Sequence, residues 1–324
     1  DAGVTFSSIV GGSYTLVQTP PADYVPRRAC FTKSLNTPAT GEDLSTTLSI
    51  TTDSDTLTWN EGYTLGNPWV QVKGGDVYAG GSIKSFVGGS ASPKLFNLTG
   101  DGGYPGLVSY GTSYDFDSSP TAQGASLVSP TNWLVNETRS LWSAWDPYTV
   151  FWRKFGGPIT VDYDGTALAL AKPASRINPY VVTGDMTTDG DWSIGDGETI
   201  VFLVDGNLTL NGRVTITGSG FAAFIVSGNI TIASSVGVPP ASSTPVLEGI
   251  YIANGTFNTG TSATGTERFV GKGMFVANSF NLQRDLGDDN TTTAAELFTY
   301  NPRLLLTQPD AMKTLKIFWQ EVAP

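Results

Sequence analysis

The chain has 324 residues, 18 basic against 29 acidic, a net charge of −11 and only 15% charged side chains. That balance, with no Lys/Arg-rich block, excludes nucleic acid and anionic membranes as natural partners. Histidine is absent and Cys30 is the single cysteine, so Ser-His-Asp and Cys-His catalysis, His-bearing zinc sites and an internal disulfide are excluded too.

Cys30 is then either a buried apolar filler or an intermolecular link. No apolar run reaches the roughly 18 residues that a spanning helix needs. The opening Asp1-Ala-Gly-Val-Thr-Phe6 has neither a basic start nor an apolar middle. A processed, secreted chain is the expectation.

Residues 1–68 carry short β-type runs, Val4–Phe6, Ser13–Val17, Thr46–Thr51 and Thr56–Trp59, separated by Gly and Pro turns. They predict a small β module. Its first strand, with Val4, Phe6, Tyr14 and Leu16, either pairs inside its own subunit or adds to a neighbour's sheet edge. Residues 69–84, Trp69-Val-Gln-Val-Lys-Gly-Gly-Asp-Val77 onward, alternate, turn and alternate again. They predict the first coil of a solenoid, interrupted after it by an insertion.

That insertion, 85–176, begins Gly/Ser/Pro-rich. Between Pro130 and Phe155 the spacing predicts a helical hairpin: Leu134, Leu141, Trp142 and Trp145 on one helix face, then a short helix opened by Asp146-Pro147 with Val150, Phe151 and Phe155 inward. Gly156-Gly157 ends it. Tryptophans at helical spacing read as cover for an apolar surface rather than as sugar platforms. Pro158–Val161 and Ala167–Leu170 predict a β-hairpin across Asp162–Gly165.

Residues 177–324 repeat one phrase: an apolar run, a small or acidic residue, a Gly or Asn turn, a second apolar alternation. Its anchors, Val182, Val204, Val226, Ile252 and Val276, stand 22, 22, 26 and 24 residues apart. Such a period means stacked coils that share one core. Ile200, Phe202 and Val204 should face one side and Val201 and Leu203 the other, so the strand is covered on both faces. Leu297–Leu306 and the end of the chain, with Ile317 and Trp319, predict closing strands that cover the last coil or dock on a second molecule.

The fold expected is therefore a right-handed parallel β-helix with a small N-terminal β module and a helical insertion. The Trp69–Val77 opening, the Gly-Asn-Leu/Ile-Thr coils and the Tyr300-Asn-Pro-Arg-Leu-Leu305 and Phe318-Trp-Gln-Glu-Val322 ending resemble secreted bacterial surface proteins with a β-solenoid core, some encoded with type IV pilus components. The resemblance covers 69–84 and 177–324 and implies a surface location, with no catalytic residues to carry over.

One polar cluster stands out: Asp185, Asp189, Asp191, Asp196 and Glu198 within one coil. Such oxygen ligands either surround Ca²⁺ or are solvated turn acids, since the spacing fits neither the EF-hand nor the calcium nonapeptide repeat. Asp285, Asp288 and Asp289 read as an exposed loop. Catalysis on a polysaccharide would need paired acids flanking a bond, or a base such as Arg213 or Arg268 beside acidic ligands. The acids here sit in turns, so no enzyme is expected.

Asn-x-Ser/Thr triplets begin at Asn97, Asn136, Asn207, Asn229, Asn254 and Asn290, two of them being the repeat's own turn. The function expected is structural: a subunit of an extracellular filament or surface layer, self-associating through Val4, Phe6, Tyr14, Leu16, Ile317 and Trp319. An adhesin using Trp59, Trp69 or Tyr78 against glycan, and a polysaccharide lyase or hydrolase, are the alternatives.

Overall fold

The computed structural model describes residues 2–9, 12–17, 25–34, 39–42, 45–50, 55–64, 70–84, 96–97, 108–115, 134–136, 146–157, 160–164, 168–261 and 267–313. It divides into two compact units: Asp1–Asn67 with Gly287–Thr291, and Pro68–Leu286 with Thr292–Pro324.

In the first unit, four antiparallel strands run in the order Ala2–Ile9, Asp55–Thr64, Val25–Ser34, Ala39–Glu42. Gly12–Val17 pairs separately with Ser45–Ile50. The opening strand thus pairs within its own chain, Val4 opposite Trp59 and Phe6 opposite Leu57, with Tyr14 opposite Leu48 and Leu16 opposite Thr46.

The second unit is a β-solenoid. One parallel stack runs Tyr163–Asp164, Tyr180–Thr183, Thr199–Asp205, Phe221–Val226, Leu247–Asn258, Phe269–Asn281, Glu296–Thr299, Val70–Lys73, Phe96–Asn97. A second stack runs Leu168–Leu170, Met186–Thr188, Leu208–Leu210, Ile230–Ile232 and on into the later halves of the two long strands. The third joins Trp192–Ile194 to Val214–Ile216 and to Leu247. Each coil therefore turns through three faces.

The strand faces divide as their alternation requires. Ile200, Phe202 and Val204 enter the interior, while Val201 and Leu203 join a second apolar cluster outside it. Inside, rings stack coil on coil: Tyr180, Phe202, Phe224, Tyr251 and Phe275 have successive centroids 5.2, 5.7, 5.3 and 5.2 Å apart. Trp192 leans on this column from the third stack, 5.7 Å from Phe202 and 5.9 Å from Phe224.

The outer cluster is covered by helix α1, Pro147–Lys154, and by the Leu304–Met312 region. Asp146 caps α1, accepting the Thr149 N–H at 3.1 Å, and Pro147 takes the first position, where no N–H is needed. Arg153 and Lys154 complement the dipole at its end, and Gly156 leaves the helix at φ 86°. The stripe facing the strands is Tyr148, Phe151, Trp152 and Phe155, an i, i+3, i+4, i+7 set that includes the expected Phe151 and Phe155, with Tyr148 and Trp152 beside them in place of Val150. Asn254 fastens the helix, its Oδ1 accepting the Tyr148 N–H at 3.0 Å and its Nδ2 donating to Asp146 at 2.8 Å.

Several expectations are corrected. The coil at 69–84 does not precede the coil at 177: Val70–Lys73 pairs with Glu296–Thr299, at the opposite end of the stack. An alternating strand needs a parallel edge but its sequence does not say which, and the last coil offers one. Residues 85–176 are more than an insertion, since Phe96–Asn97, Val108–Tyr110, Ser113–Asp115 and Leu134–Asn136 all pair in parallel with 69–84 or with one another.

Leu134 accordingly lies on a strand rather than a helix, while Leu141, Trp142 and Trp145 fall outside the described residues. The predicted hairpin at 158–170 is instead a coil: Tyr163 stacks beside Val182 and Leu168 beside Met186, both parallel. Leu297–Leu306 is not one strand. Glu296–Thr299 is extended, and Arg303–Thr307 after Pro302 is helical, because proline presets the φ of a first helical turn. Ile317 and Trp319 lie outside the described residues.

The anchors also slip once. Val182, Val204 and Val226 are in register, but Val226 then pairs with Ala253, and Ala253 with Ala277. Ile252 and Val276 stack on Ile225 and face outward. A shift of one residue moves a strand's side chains to the other face, and the two faces here are both apolar, so hydrophobicity alone does not detect it.

Candidate functional site: a polar face on the solenoid

Among the described residues, one face of the coils is neither core nor covered by helix. On the second stack, Met186, Leu208, Ile230 and Phe257 point inward, Phe280 takes the same register position in the last coil but is 44% exposed, and the residues on either side of these five point out. The outward pairs are Asp185 and Thr187, Asn207 and Thr209, Asn229 and Thr231, Thr256 and Asn258, Ser279 and Asn281. Thr187, Thr209, Thr231, Asn258 and Asn281 lie in one column by strand register.

The second column is tied by hydrogen bonds. Asp185 accepts from the Asn207 N–H at 2.8 Å and from its amide at 3.0 Å, Asn207 Oδ1 from the Asn229 N–H at 2.9 Å, and Asn229 Oδ1 from the Thr256 N–H at 2.8 Å. Thr256 and Ser279 hydroxyls meet at 2.8 Å. In the first column, the Asn281 amide donates to Asn258 at 3.0 Å. With parallel strands roughly 4.8 Å apart and next-but-one residues roughly 6.6 Å apart, the face is a two-column grid. Only Asp185, at one end, carries charge.

The repeat's glycine makes the grid possible. Gly206, Gly228 and Gly255 precede the Asn207, Asn229 and Thr256 column, and each sits against the coil before it: a Cβ on Gly206 would stand 2.3 Å from the Gly184 oxygen. The sequence signal was present as a fixed period, Asn207-x-Thr209 to Asn229-x-Thr231. What hid its extent is the swap to Thr256-x-Asn258 and Ser279-x-Asn281, which keeps polarity and face but changes residue type.

The five acids of the predicted calcium cluster are not brought together. Asp185 serves the Asn column, Asp191 accepts the Arg213 N–H at 2.7 Å, and Asp196 accepts the N–H and hydroxyl of Ser219. Glu198 pairs with Lys172 and takes the Gly195 N–H at 2.6 Å, while Asp189 is exposed. The Ser219 bonds hold Asp196, and the Lys172 ammonium holds Glu198, below the usual carboxylate range. Among the described residues no three or more His, Cys, Asp or Glu side chains are grouped to hold a metal ion.

Arg213 donates to the Gly237 carbonyl at 3.0 Å, and buried Arg268 to that of Ser242 at 3.3 Å, so both brace loops between coils. The amides of Asn207, Asn229 and Asn254 are engaged in coil or helix contacts. Tyr78 is half-buried, and the side chains of Trp59 and Trp69 fall outside the described residues.

The class defined by coil register and covering helix is a parallel β-solenoid with a helix packed along one face. No family model matches the chain, and no curated protein matches it in sequence. Among solved structures it is similar to an ice binding protein from an Antarctic Biological Consortium, at 13% identity and a TM-score of 0.29, covering 75% of this chain and 91% of that one. The fold assignment rests on the register above.

Proposed function

We propose that this protein is a non-enzymatic structural scaffold of an extracellular surface, whose solenoid holds a flat, nearly uncharged hydroxyl-and-amide grid against an ordered partner surface. The observation that carries the reading is the two-column register of Thr, Asn and Ser over five coils. A rigid array loses little conformational entropy on contact, and weak contacts repeated in register add as multivalent binding does. Four of the five acids are engaged in bonds, all four to a neighbouring coil, which supports a role in holding coils over a role in acid–base chemistry.

The ordered, uncharged surfaces to try are ice and crystalline polysaccharide. With both Thr209 and Thr231 replaced by Tyr, adsorption should fall at least about tenfold, the equivalent of about 1.4 kcal/mol. Circular dichroism should not change, because both side chains point outward. Equal adsorption of variant and parent, or none by the parent on either surface, removes the reading.

Assembly into a filament or surface layer is the second reading. It draws on Leu305 and Leu306, 44% and 80% exposed on the short C-terminal helix, an apolar pair that a neighbouring copy would cover. Polymers in negative-stain images that grow with concentration are expected. Monomers alone, from micromolar to millimolar, would end that reading.

A further inference from the structure

Among the ionisable side chains buried in the stack are Arg284 at 0% exposure and Glu296 at 2%. The Arg284 guanidinium donates to the carbonyls of Thr259, Ala233, Ser234 and Val236 at 3.0, 3.2, 3.3 and 2.8 Å. It thereby binds the turn after Phe269–Asn281 to two earlier coils. Glu296 opens the next strand, and its Oε1 accepts the Arg284 N–H at 2.8 Å and the Thr259 hydroxyl at 3.1 Å. Thr259 Oγ1 in turn accepts the Gln283 N–H at 2.8 Å, and its own proton has Glu296 at 3.1 Å as a nearer acceptor than the Asn281 carbonyl at 3.5 Å.

The strand Glu296–Thr299 is a joint. On one side it pairs with Phe269–Lys272, and on the other with Val70–Lys73, a partner from the other end of the second unit. No short connection holds that second pairing, so it depends on this strand staying in place.

We propose that Glu296 is a proton-operated latch on this joint: neutral, it holds the strand between both neighbours, and ionised, it loosens the strand from them. Among the described residues, four charged groups bear on the pair, Arg284 itself included. Asp285 opposes its ionisation, the Arg284 and Arg268 charges favour it, and Glu267 acts on Arg284. Burial outweighs them and, with Asp285, pushes the carboxyl up from 4.5 to about 7 against the pull of the Arg284 N–H and Thr259 bonds. A carboxyl raised in the folded state stabilises fully below its ordinary value, and that contribution is lost as pH rises through about 7.

Hydrogen exchange on the full chain at pH 5 and pH 8, corrected for intrinsic rates, tests this. Amides of Glu296–Thr299 and Val70–Lys73 should open at least about tenfold more often at pH 8, with Phe221–Val226 unchanged. E296Q should abolish the difference. Equal opening at both pH values, or an E296Q variant that responds like the parent, overturns the latch. Should E296Q not fold, the ¹³C titration of the Glu296 carboxyl in the parent decides: a midpoint near neutrality supports the latch, and one in the ordinary carboxylate range refutes it.

Discussion

Replacing Phe224 with alanine is expected to remove about 4 kcal/mol of stability, the middle of the range for a truncated core aromatic. Its ring is fully buried and lies parallel to its neighbours, 1° from the plane of Phe202 and 8° from that of Tyr251. The truncation therefore removes two stacked contacts and the Trp192 contact at once. The hole has little means of closing, because the coils above and below are fixed by strand hydrogen bonds on three faces. Since a coil contacts only its neighbours, breaking the column at its middle should also split one transition into two. Urea unfolding followed by circular dichroism measures both effects; a loss below about 1 kcal/mol with an unchanged slope would contradict the picture of a continuous aromatic spine.

The spine shows how far the sequence could be read. Ile200, Phe202 and Val204 against Val201 and Leu203 is a bare alternation, and the structure places them as it implies, because a parallel strand with two apolar faces has to be covered twice. The helix opened by Asp146-Pro147 was also legible, since an N-cap followed by proline is a local signal. Two kinds of information were not local. The stacking of Val70–Lys73 on Glu296–Thr299 joins segments far apart in sequence, and a strand's alternation is the same whichever edge it meets. The slip from Val226 to Ala253 arises after the longer coil at 227–246, and it was invisible because both faces of that stack are apolar.

The polar face was half legible for a related reason. Asn207, Asn229 and their threonines read as turn residues, and as turn residues they do serve, each Asn oxygen accepting the next coil's N–H. Their outward alignment across five coils follows only from the register. The acids misled in the opposite sense. Asp185, Asp191 and Asp196 are neighbours in sequence, but a three-sided coil sends them to different corners, where each bonds to the residue 22 or 23 positions later.

Gly206→Ala is expected to cost about 3 kcal/mol, although it adds one methyl to a corner of the coil. That methyl would stand 2.3 Å from the Gly184 oxygen and 2.4 Å from its carbonyl carbon, which are backbone atoms and cannot rotate away. The coils cannot part to admit it either, since Gly184 N–H donates to the Asp205 carbonyl at 2.8 Å and Gly228 N–H to the Gly206 carbonyl at 2.9 Å. Gly81→Ala is the control: nothing lies within 4 Å of its added carbon, so thermal unfolding should move by less than about 0.5 kcal/mol. Equal effects at the two sites would mean that the glycine of the repeated phrase is there for its turn and not for close approach. If Gly206→Ala does cost what the contact distance implies, the change should reach the polar face too. Asn207 follows directly and Thr209 two residues later, so a coil pushed away at Gly206 carries both columns out of step, and a folded remnant of this variant should lose the adsorption that the grid provides.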